Sequence, residues 1–377
     1  MERTWAEIRL DNLIYNFKNI RQKTDKKAKI MAIIKADGYG HGAVQIARAL
    51  KKEGADCFGV ALCDEGIQLR KHRIEEEILI LSPVPYEKIS DVIEYNLTSA
   101  VTSVDFAKKL NNIADDKVKV HIKIDTGMGR IGFQCNEESI NAIKEISKLK
   151  NVEIEGIFTH FATADEENDA KTLKQFEKFM NFISQLENAG IHIPVKHCAN
   201  SAAIMRFEQM HLDMVRPGII LYGYYPSEYL KGKFIDIKPV MTLKSTVTDI
   251  KKLDEDTEIS YGGTYTGKKG EIIATLGIGY ADGLLRTLSG KLEIEINGEK
   301  FKQTGKICMD QCMITALNAN NINTGDEAVI FGGYNPADRL AEICGTISYE
   351  ILCMIGKRVP RVYLKSGKVV KNISFLN

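Results

Sequence analysis

The stretch MAIIKADGYGHG, residues 31–42, places a lysine and three glycines directly after an apolar run. The run, residues 31–34, has the composition of a buried strand, and Ala43 opens a segment that is typical of a helix. From Gly38 to Ala43 the letters fit G-x-G-x-x-A, the turn that binds the pyrophosphate of a dinucleotide. The same strand, however, ends at Lys35, where an amine can instead take part in chemistry. The surrounding sequence has to decide between these two interpretations.

Eight apolar runs, separated by longer stretches with helical spacing, extend over residues 29–216. The runs are KIMAII (29–34), CFGVA (57–61), ILILS (78–82), LTSAVT (97–102), VKVHIKI (118–124), VEIEGIF (152–158), VKHCA (195–199) and LDMVR (212–216). Most are followed by a helix candidate, and this repeated βα alternation predicts a closed (β/α)8 barrel. A doubly wound open sheet is the alternative, but eight strands in about 200 residues fit the barrel better. The first domain is therefore predicted to span residues 1–235.

After residue 235 the pattern changes to short strands with hairpin signals, such as ING at 296–298 and the Gly332-Gly333 pair. Only PADRLAEICG and SYEILCMIG have helical spacing in this part of the chain. Residues 236–377 are therefore predicted to form a second, mainly β domain. Residues 1–10 are candidates for packing with that second domain.

Composition and charge argue against several classes of function. The 377 residues include 51 Lys and Arg against 50 Asp and Glu, and a net charge of +1 is too small to attract nucleic acid or an acidic membrane. No apolar run reaches the ~18 residues of a membrane span, and the charged amino terminus lacks the apolar core of a signal peptide. The eight cysteines include no C-x-x-C pair, which argues against zinc and favours reduced thiols. We expect a cytoplasmic protein that binds no metal, membrane or nucleic acid.

Polar side chains stand where several of the predicted strands end. They are Lys35, Lys123 with Asp125, His160, Asn200 with Ser201, and Arg216. In a (β/α)8 barrel the carboxyl ends of the strands form the active site, and phosphate often binds after strands seven and eight. A lysine held there can form a Schiff base with an aldehyde cofactor. Ser201 and the backbone of Gly218 and Ile219 are the candidates for binding a phosphate.

Two nucleotide-binding patterns are weak in this context. The dinucleotide interpretation needs an acidic residue about 20 positions further on, at the end of the next strand, whereas Asp56 precedes that strand. GGTYTGKKG, residues 262–270, resembles a phosphate-binding loop but has Lys269 where Mg²⁺ binding requires Ser or Thr. The turn from Asp125 to Arg130 allows Arg130 to reach the barrel mouth, although a charged surface turn fits it equally well. Chemistry at Lys35 is therefore the favoured interpretation.

In their order and spacing, the motifs of this chain resemble those of the bacterial alanine racemases, which use pyridoxal phosphate. The motifs are KADGYGHG, KIDTGMGRIG, THFATAD, ANSAA, VRPGIILYG, SYGGTYT, GIGYADG, GKICMDQ and TISYE, and they span nearly the whole chain. The resemblance implies a (β/α)8 barrel followed by a β domain, which agrees with the division predicted from the strand pattern. It also implies pyridoxal phosphate as the cofactor and a small amino acid as the substrate.

The resemblance implies a role for each matching residue. Lys35 corresponds to the Schiff-base lysine and Tyr261 to the second catalytic base. The other implied cofactor contacts are Tyr39, Ser201, Gly218, Ile219 and Tyr349 at the phosphate, Arg216 at the pyridine nitrogen, and His160 beside the ring. The implied substrate contacts are Arg130 and Met309, with Tyr280 at the entrance to the site and Lys123 as a lysine that is carbamylated in some members.

A racemase must remove the α-proton from one face of the substrate and return a proton to the other, which two bases on opposite faces achieve. The resemblance implies that Lys35 serves D-alanine, and that Tyr261 serves L-alanine from the partner chain of a homodimer. The expected function is interconversion of L-alanine and D-alanine, which supplies D-alanine for peptidoglycan. The alternatives are a serine/alanine racemase of broader specificity, a fold-related amino-acid decarboxylase and a non-catalytic pyridoxal-phosphate carrier.

Overall fold

The structure is a computed structural model that describes residues 2–316 and 322–374. The chain divides into two compact units, which we call the barrel unit and the sheet unit. The barrel unit comprises Leu13–Gly38 and Ala43–Ile237, and the sheet unit comprises Met1–Asn12, Tyr39–Gly42 and Lys238–Asn377. The domain limits expected from the sequence, 1–235 and 236–377, stay a prediction. The short segment Tyr39–Gly42 lies within the first of these ranges but groups with the sheet unit.

Eight parallel strands form the central sheet of the barrel unit. In order along the sheet they are β10 (Met214–Val215), β2 (Lys29–Ile33), β3 (Cys57–Val60), β4 (Glu77–Ile80), β5 (Thr98–Val101), β6 (Val118–Asp125), β8 (Val152–Phe158) and β9 (Val195–His197). Hydrogen bonds from Asp213 N to Lys196 O (3.1 Å) and from Arg216 N to Ala199 O (2.9 Å) join β10 to β9 and close the ring. A short strand, β7 (Phe133–Gln134), pairs with β6 outside this ring. The predicted (β/α)8 barrel is confirmed, and the open sheet is not formed.

Helices connect most of the barrel strands. They are α3 (Ala43–Lys52), α4 (Cys63–Lys71), α5 (Ile89–Glu94), α6 (Val104–Ile113), α7 (Glu137–Ile146), α8 (Ala170–Asn188) and α9 (Ser201–Arg206), whereas α1 (Leu10–Lys23) precedes β2. In α3, with the sequence AVQIARALKK, the buried residues recur at helical spacing and form one apolar face. Strands β3 and β5 are buried along their whole length, which explains their continuous apolar runs. Within the described ranges, no helix combines the length and the apolar character needed to cross a membrane.

The segment α2 (Lys35–Tyr39) is a left-handed turn that directly follows β2. Residues 36–38 have φ angles of 51°, 52° and 62°, and the N–H of Gly38 donates to the carbonyl of Ile34 at 2.8 Å. An ordinary right-handed helix begins only with α3. A dinucleotide-binding turn leads directly into such a helix, whose N-terminus faces the pyrophosphate. The glycine pattern therefore forms a different structure from the one that its letters suggest.

The sheet unit is built on a mainly antiparallel sheet. Its order is β14 (Ile272–Leu276), β17 (Cys312–Thr315), β16 (Glu299–Thr304), β15 (Glu293–Ile296), β18 (Glu327–Phe331), β11 (Met241–Lys252), β1 (Thr4–Arg9), β19 (Arg361–Lys365) and β20 (Lys368–Ile373). Because β11 also pairs with β14, the strands between them form a closed ring. The amino-terminal strand β1 lies antiparallel to β11 and parallel to β19.

The remaining elements of the sheet unit are a small hairpin and two helices. They are β12 (Thr257–Ile259), β13 (Tyr265–Gly267), α10 (Ala337–Cys344) and α11 (Ser348–Cys353). Both helices lie where the sequence shows helical spacing, and the ING hairpin joins β15 to β16. The prediction of a mainly β second part of the chain is confirmed.

Candidate active site

The carboxyl ends of the barrel strands carry the polar residues that the sequence predicts for the site. Lys35 follows β2, Lys123 lies near the end of β6, and His160 follows β8. Ser201 begins α9 after β9, and Arg216 directly follows β10. Because parallel barrel strands all end on the same face, these side chains share one end of the barrel.

The guanidinium of Arg216 is buried and held by several groups of the barrel unit. Its Nη1 donates to His197 Nδ1 at 2.9 Å, and its Nη2 donates to the carbonyls of Thr159 (2.7 Å) and Cys198 (3.1 Å). Burial lowers the pKa of Arg216 to about 10, so the group keeps its charge at neutral pH. Such a fixed cation offers a ligand hydrogen-bond donors and cannot act as an acceptor.

His160 lies against Arg216, with Nδ1 3.5 Å from Arg216 Nη2. Burial, and next the positive charges of Arg216, Arg130, Lys35 and Lys123, hold the pKa of His160 well below its ordinary value. His160 is therefore neutral at physiological pH. Four of the predicted cationic residues of the barrel unit therefore lie close enough to His160 for their charges to act on it.

Lys123 is enclosed within the barrel, with 2% of its surface exposed. Its Nζ donates to the carbonyl of Ile124 at 2.7 Å and lies 5.6 Å from the centre of the Phe158 ring. Burial, and next the charge of Arg216, lower the pKa of Lys123 to about 8, although Asp125 acts in the opposite direction. An amine with this pKa is partly unprotonated near neutral pH and can react as a nucleophile.

The turn that follows β6 is organised by Asp125. The carboxylate of Asp125 accepts the N–H groups of Gly127 (2.9 Å) and Gly129 (3.1 Å). Burial alone would raise the pKa of Asp125, but these bonds hold it below its ordinary value. Arg130 follows at the end of the turn and is exposed. The turn thus presents a solvated guanidinium that can bind a carboxylate.

Ser201, Gly218 and Ile219 form a group of polar atoms beyond the last two barrel strands. Ser201 is buried, and its Oγ accepts the N–H of Gly218 at 2.9 Å. Ile219 begins a 3₁₀ helix, Ile219–Tyr222, and the first N–H groups of a helix have no acceptor within it. The Gly218 N–H holds the Ser201 hydroxyl in place, so that the hydroxyl proton and the N–H of Ile219 are the donors that suit a phosphate.

Two further phosphate contacts expected from the resemblance belong to the sheet unit. Tyr39 is buried at the end of the left-handed turn, and its ring centre lies 6.0 Å from that of Tyr349. Burial, and next the neighbouring Tyr349, raise the pKa of Tyr39. The phenol of Tyr39 therefore keeps its proton at neutral pH and can donate a hydrogen bond.

Tyr261, Tyr280 and Met309 lie on exposed loops of the sheet unit. Their surfaces are 69%, 43% and 53% exposed, and large apolar side chains grouped at a surface mark a place where something binds. The N–H of Tyr280 and the hydroxyl of Ser260 both donate to carbonyls of the segment 306–309, at 3.0 and 2.6 Å. This segment thus holds the three side chains in the same region of the sheet unit.

Sequence reasoning does not identify two histidines that the structure brings to this site. His197 contacts Arg216 directly, and His121 contacts His197. Each is a polar residue within a correctly predicted barrel strand, which is the signal available in the sequence. Which partner each one meets depends on the order of the strands around the barrel, and local sequence does not state that order.

Comparison with protein families gives a match over both parts of the chain. Residues 8–226 match the family model "Alanine racemase, N-terminal domain", and residues 240–363 match "Alanine racemase, C-terminal domain". Alanine racemase 1 of Clostridium acetobutylicum is 47% identical over 97% of each chain. The alanine racemase of Desulforamulus reducens is 46% identical, over 96% of this chain and 99% of its own.

Solved structures share the fold over the same length. An alanine racemase of Clostridium difficile 630 superposes with a TM-score of 0.97 at 46% identity, covering both chains completely. The alanine racemase from Bacillus anthracis with bound L-Ala-P superposes with a TM-score of 0.95 at 35% identity, covering 100% of this chain and 99% of its own. On the sequence of both domains and on the fold, the chain belongs to the alanine racemase family.

Proposed function

We propose that the protein interconverts L-alanine and D-alanine with pyridoxal phosphate as its cofactor. The observation that carries the proposal is the buried Arg216, fixed beside His160 at the barrel end to which Lys35 also contributes. Relatives and solved structures that match nearly the whole chain are named alanine racemases, which supports the same activity. The family match over both domains favours this reaction over decarboxylation and over a non-catalytic carrier.

The residues present fit the three polar parts of pyridoxal phosphate. Ser201 and the backbone of Gly218 and Ile219 are proposed to hold the phosphate, for which the Ser201 hydroxyl and the Ile219 N–H are the donors and the Gly218 N–H positions the hydroxyl. Lys35 provides an amine for the aldehyde, and Arg216 provides N–H donors for the ring nitrogen. When bound, the cofactor supplies an aldehyde that condenses with amines and a ring that withdraws electrons from the substrate α-carbon. The further phosphate contacts that we propose are Tyr39 and Tyr349.

Lys35 and Tyr261 are proposed as the two catalytic bases. A single base that stays on one face tends to return the proton to the face from which it came, so inversion requires a second group. Lys35 takes or returns the proton on the face that serves D-alanine, and Tyr261 does so on the face that serves L-alanine. Each group must hold a proton in one direction of the reaction and lack it in the other.

The exposure of the Tyr261 side chain supports a homodimer with shared active sites. In one chain Tyr261, Tyr280 and Met309 leave much apolar surface in water, which is unfavourable unless another surface covers it. We propose that these loops complete the site of the partner chain, with Tyr261 as base, Met309 at the substrate carboxylate and Tyr280 at the entrance.

Arg216 is proposed to leave the ring nitrogen of the cofactor unprotonated. An arginine donates hydrogen bonds but does not give up its proton at neutral pH, and burial here leaves its pKa at about 10. A carboxylic acid in the same place would share a proton with the ring and increase electron withdrawal. Arg216 would therefore hold the ring nitrogen by hydrogen bonds alone and would supply no proton that strengthens electron withdrawal by the ring. His160 is proposed to lie beside the ring and to help hold Arg216.

Arg130 is proposed to bind the substrate carboxylate, and Lys123 to orient Arg130. The positive charge of Arg130 contributes to the lowered pKa of Lys123, after burial and the charge of Arg216, so Arg130 lies near enough to act on the amine. A partly unprotonated amine reacts with carbon dioxide, and the resulting carbamate would attract the Arg130 guanidinium. Carbamylation of Lys123 is therefore proposed. A role in supplying D-alanine for peptidoglycan and a cytoplasmic location are proposed from the family resemblance alone.

Chiral chromatography of holoprotein incubated with L-alanine, D-alanine or L-serine tests the function. We expect either alanine isomer to yield an equal mixture of both, and L-serine to react more slowly. Lys35→Ala serves as the inactive control. If serine reacts faster than alanine, serine is the preferred substrate. Release of carbon dioxide would indicate a decarboxylase. If none of the three amino acids is converted, the protein is not a racemase of these substrates.

A further inference from the structure

Two buried histidines connect Arg216 to carboxylates near the amino-terminal ends of the barrel strands. His197 Nδ1 lies 2.9 Å from Arg216 Nη1, and His197 Nε2 lies 2.8 Å from His121 Nδ1. At the far end, His121 Nε2 lies 3.5 Å from a carboxylate oxygen of Glu155 and 3.7 Å from one of Glu77. His197, His121 and the two carboxylates therefore form a row that starts at Arg216 and crosses the barrel interior.

The direction of each hydrogen bond follows from Arg216. A guanidinium has donors only, so Arg216 donates and His197 Nδ1 accepts. Burial, and next the charge of Arg216, hold the pKa of His197 well below its ordinary value, so its single ring proton lies on Nε2. That proton is donated to His121 Nδ1. Because burial also lowers the pKa of His121, its own proton lies on Nε2 and faces the carboxylates. One permanent charge thus determines the tautomers of both rings.

This row of hydrogen-bonded side chains ends beside a small cavity of about 20 Å³, which Glu77, His121 and Glu155 help to line. Glu155 there also pairs with Lys119 Nζ at 2.5 Å. Ligand atoms of Glu77, His121 and Glu155 lie within 4.8 Å of one another, as they do in metal centres. A metal ion would need the lone pair of His121 Nε2, but the hydrogen-bond directions place a proton on that atom. The carboxylates are therefore placed to accept a proton donor.

Two features of strand β8 hold the histidine rings in place. The ring of Phe158 stacks on that of His197, with centres 4.9 Å apart and planes 11° from parallel. Gly156 leaves the space that His121 occupies, because a Cβ at this position would lie 2.5 Å from the imidazole. The rings are therefore fixed by packing as well as by hydrogen bonds.

We propose that Glu155, His121 and His197 are positioning residues that fix the orientation of the Arg216 guanidinium. His197, at the end of this row of hydrogen bonds, holds Nη1 of Arg216 in the barrel interior. Two backbone carbonyls hold Nη2. Consecutive buried hydrogen bonds that point in one direction polarise and strengthen one another. The catalytic consequence rests on the proposed function, in which Arg216 meets the ring nitrogen of the cofactor.

¹⁵N NMR of protein labelled in its histidines tests the direction in which these hydrogen bonds are donated, without any measurement of activity. We expect neutral rings at His121 and His197, each with its proton on Nε2; His121→Gln and His197→Asn assign the signals. A proton on Nδ1 of either ring, or a doubly protonated ring, overturns the proposal. Addition of Zn²⁺ should leave the His121 signals unchanged, and a Zn²⁺-dependent shift would overturn the proposal in favour of a metal site.

Two glycine variants separate positioning from stability. Gly156→Ala should displace His121, shift the ¹⁵N signals of both histidines and lower kcat by about 10- to 100-fold with little change in KM. Gly59→Ala is the matched control, since its Cβ would also approach a side chain to 2.5 Å, at Ile33. We expect the control to lower the Tm but to leave the histidine signals and kcat unchanged. Displaced signals with an unchanged kcat in Gly156→Ala overturn the proposal.

Rescue by a conservative variant provides a second kinetic test. His197→Asn keeps an oxygen close to the position of Nδ1, whereas His197→Phe keeps a ring against Phe158 but removes the acceptor. We expect His197→Asn to have a higher kcat than His197→Phe at a similar Tm. An equal decrease of kcat in the two variants overturns the proposal. If the wild-type protein does not racemise alanine, the proposed function fails, while the ¹⁵N spectra still decide the direction of the chain.

Discussion

Lys35 stands at a point where the backbone is closely constrained. It follows β2, and the hydrogen bond from Gly38 N to Ile34 O encloses it in the left-handed turn. If Lys35 holds the cofactor, borohydride reduction of the holoprotein should attach the pyridoxyl group to it, as read by peptide mass analysis. Lys123 is the internal control, because it lies at the same barrel end with its amine bonded to Ile124. A label on Lys123, or on any lysine other than Lys35, would contradict the assignment.

Tyr261 allows a test of the two-base mechanism with little risk to folding. Tyr261→Phe keeps the ring and removes the ionisable oxygen from a side chain that is largely exposed. Loss of a general base costs about 10²–10⁴-fold, so L-to-D turnover should fall by that factor while the Tm stays the same. Exchange of the α-proton of D-alanine with deuterated solvent should continue, because Lys35 remains. Wild-type L-to-D rates in the variant would remove Tyr261 from the mechanism.

The lowered pKa of Lys123 predicts a pH dependence of stability. The pKa is about 8 in the native protein and about 10.4 in an unfolded chain, so between these values the unfolded chain binds more protons. The free energy of unfolding should therefore rise with pH across this window, and the cost of burying the charge, on the order of 3 kcal/mol, is fully present below it.

Urea unfolding in buffer free of carbon dioxide, at about pH 8 and about pH 10, measures this effect. Under these conditions the amine of Lys123 is not carbamylated. Lys123→Met should lack the gain in stability that the wild-type protein shows between the two pH values. The same pH dependence in both proteins would mean that another group titrates in this window.

Among the elements of the fold, the left-handed turn depends most visibly on glycine. Gly40 has a φ of 79°, and a Cβ there would lie 2.3 Å from the backbone carbonyl of Leu352 in α11. Gly54 has a φ of 94° with no atom within 4 Å of the added Cβ, so it is a matched control for backbone strain alone. Gly54→Ala should cost about 1–2 kcal/mol, and Gly40→Ala clearly more, because a backbone carbonyl cannot move aside.

Urea unfolding gives the free energy of unfolding of the two variants, Gly40→Ala and Gly54→Ala. Equal losses would show that strain, and not the approach to Leu352, explains the need for glycine at position 40. The difference between the two variants isolates the contact, because both replace a glycine of positive φ by the same residue.

The barrel strands could be predicted because each is encoded in a short stretch of sequence. Parallel strands that are buried on both faces appear as continuous apolar runs, and all eight runs of this kind form strands of the barrel. The turn after β2 could not be predicted in the same way. Glycine permits a positive φ, but Ala36 and Asp37 also adopt it, and side chains other than glycine rarely do. Contacts from elsewhere in the fold must hold them in that conformation.

At the scale of the whole molecule, the homodimer proposal predicts complementation between inactive variants. Lys35→Ala and Tyr261→Phe each lack one base. If Tyr261 acts across the interface, a mixed dimer contains one site with both bases, and mixing the two variants should restore part of the activity. Lys35→Ala mixed with itself is the control. No recovery after verified subunit exchange would show that each chain supplies its own tyrosine.

By itself, the sequence determined the type and order of the elements and the polar residues at the strand ends. These properties are local: hydrophobic pattern selects a strand or a helix, and barrel topology places all carboxyl ends of the strands on one face. Only the tertiary structure decided which distant residues meet. His121 and His197 belong to β6 and β9 and Arg216 follows β10, yet hydrogen bonds join the three side chains. Neighbouring residues cause the desolvation and set the direction of each hydrogen bond. The order of the strands around the barrel determines which residues are neighbours, and no short stretch of sequence contains that order.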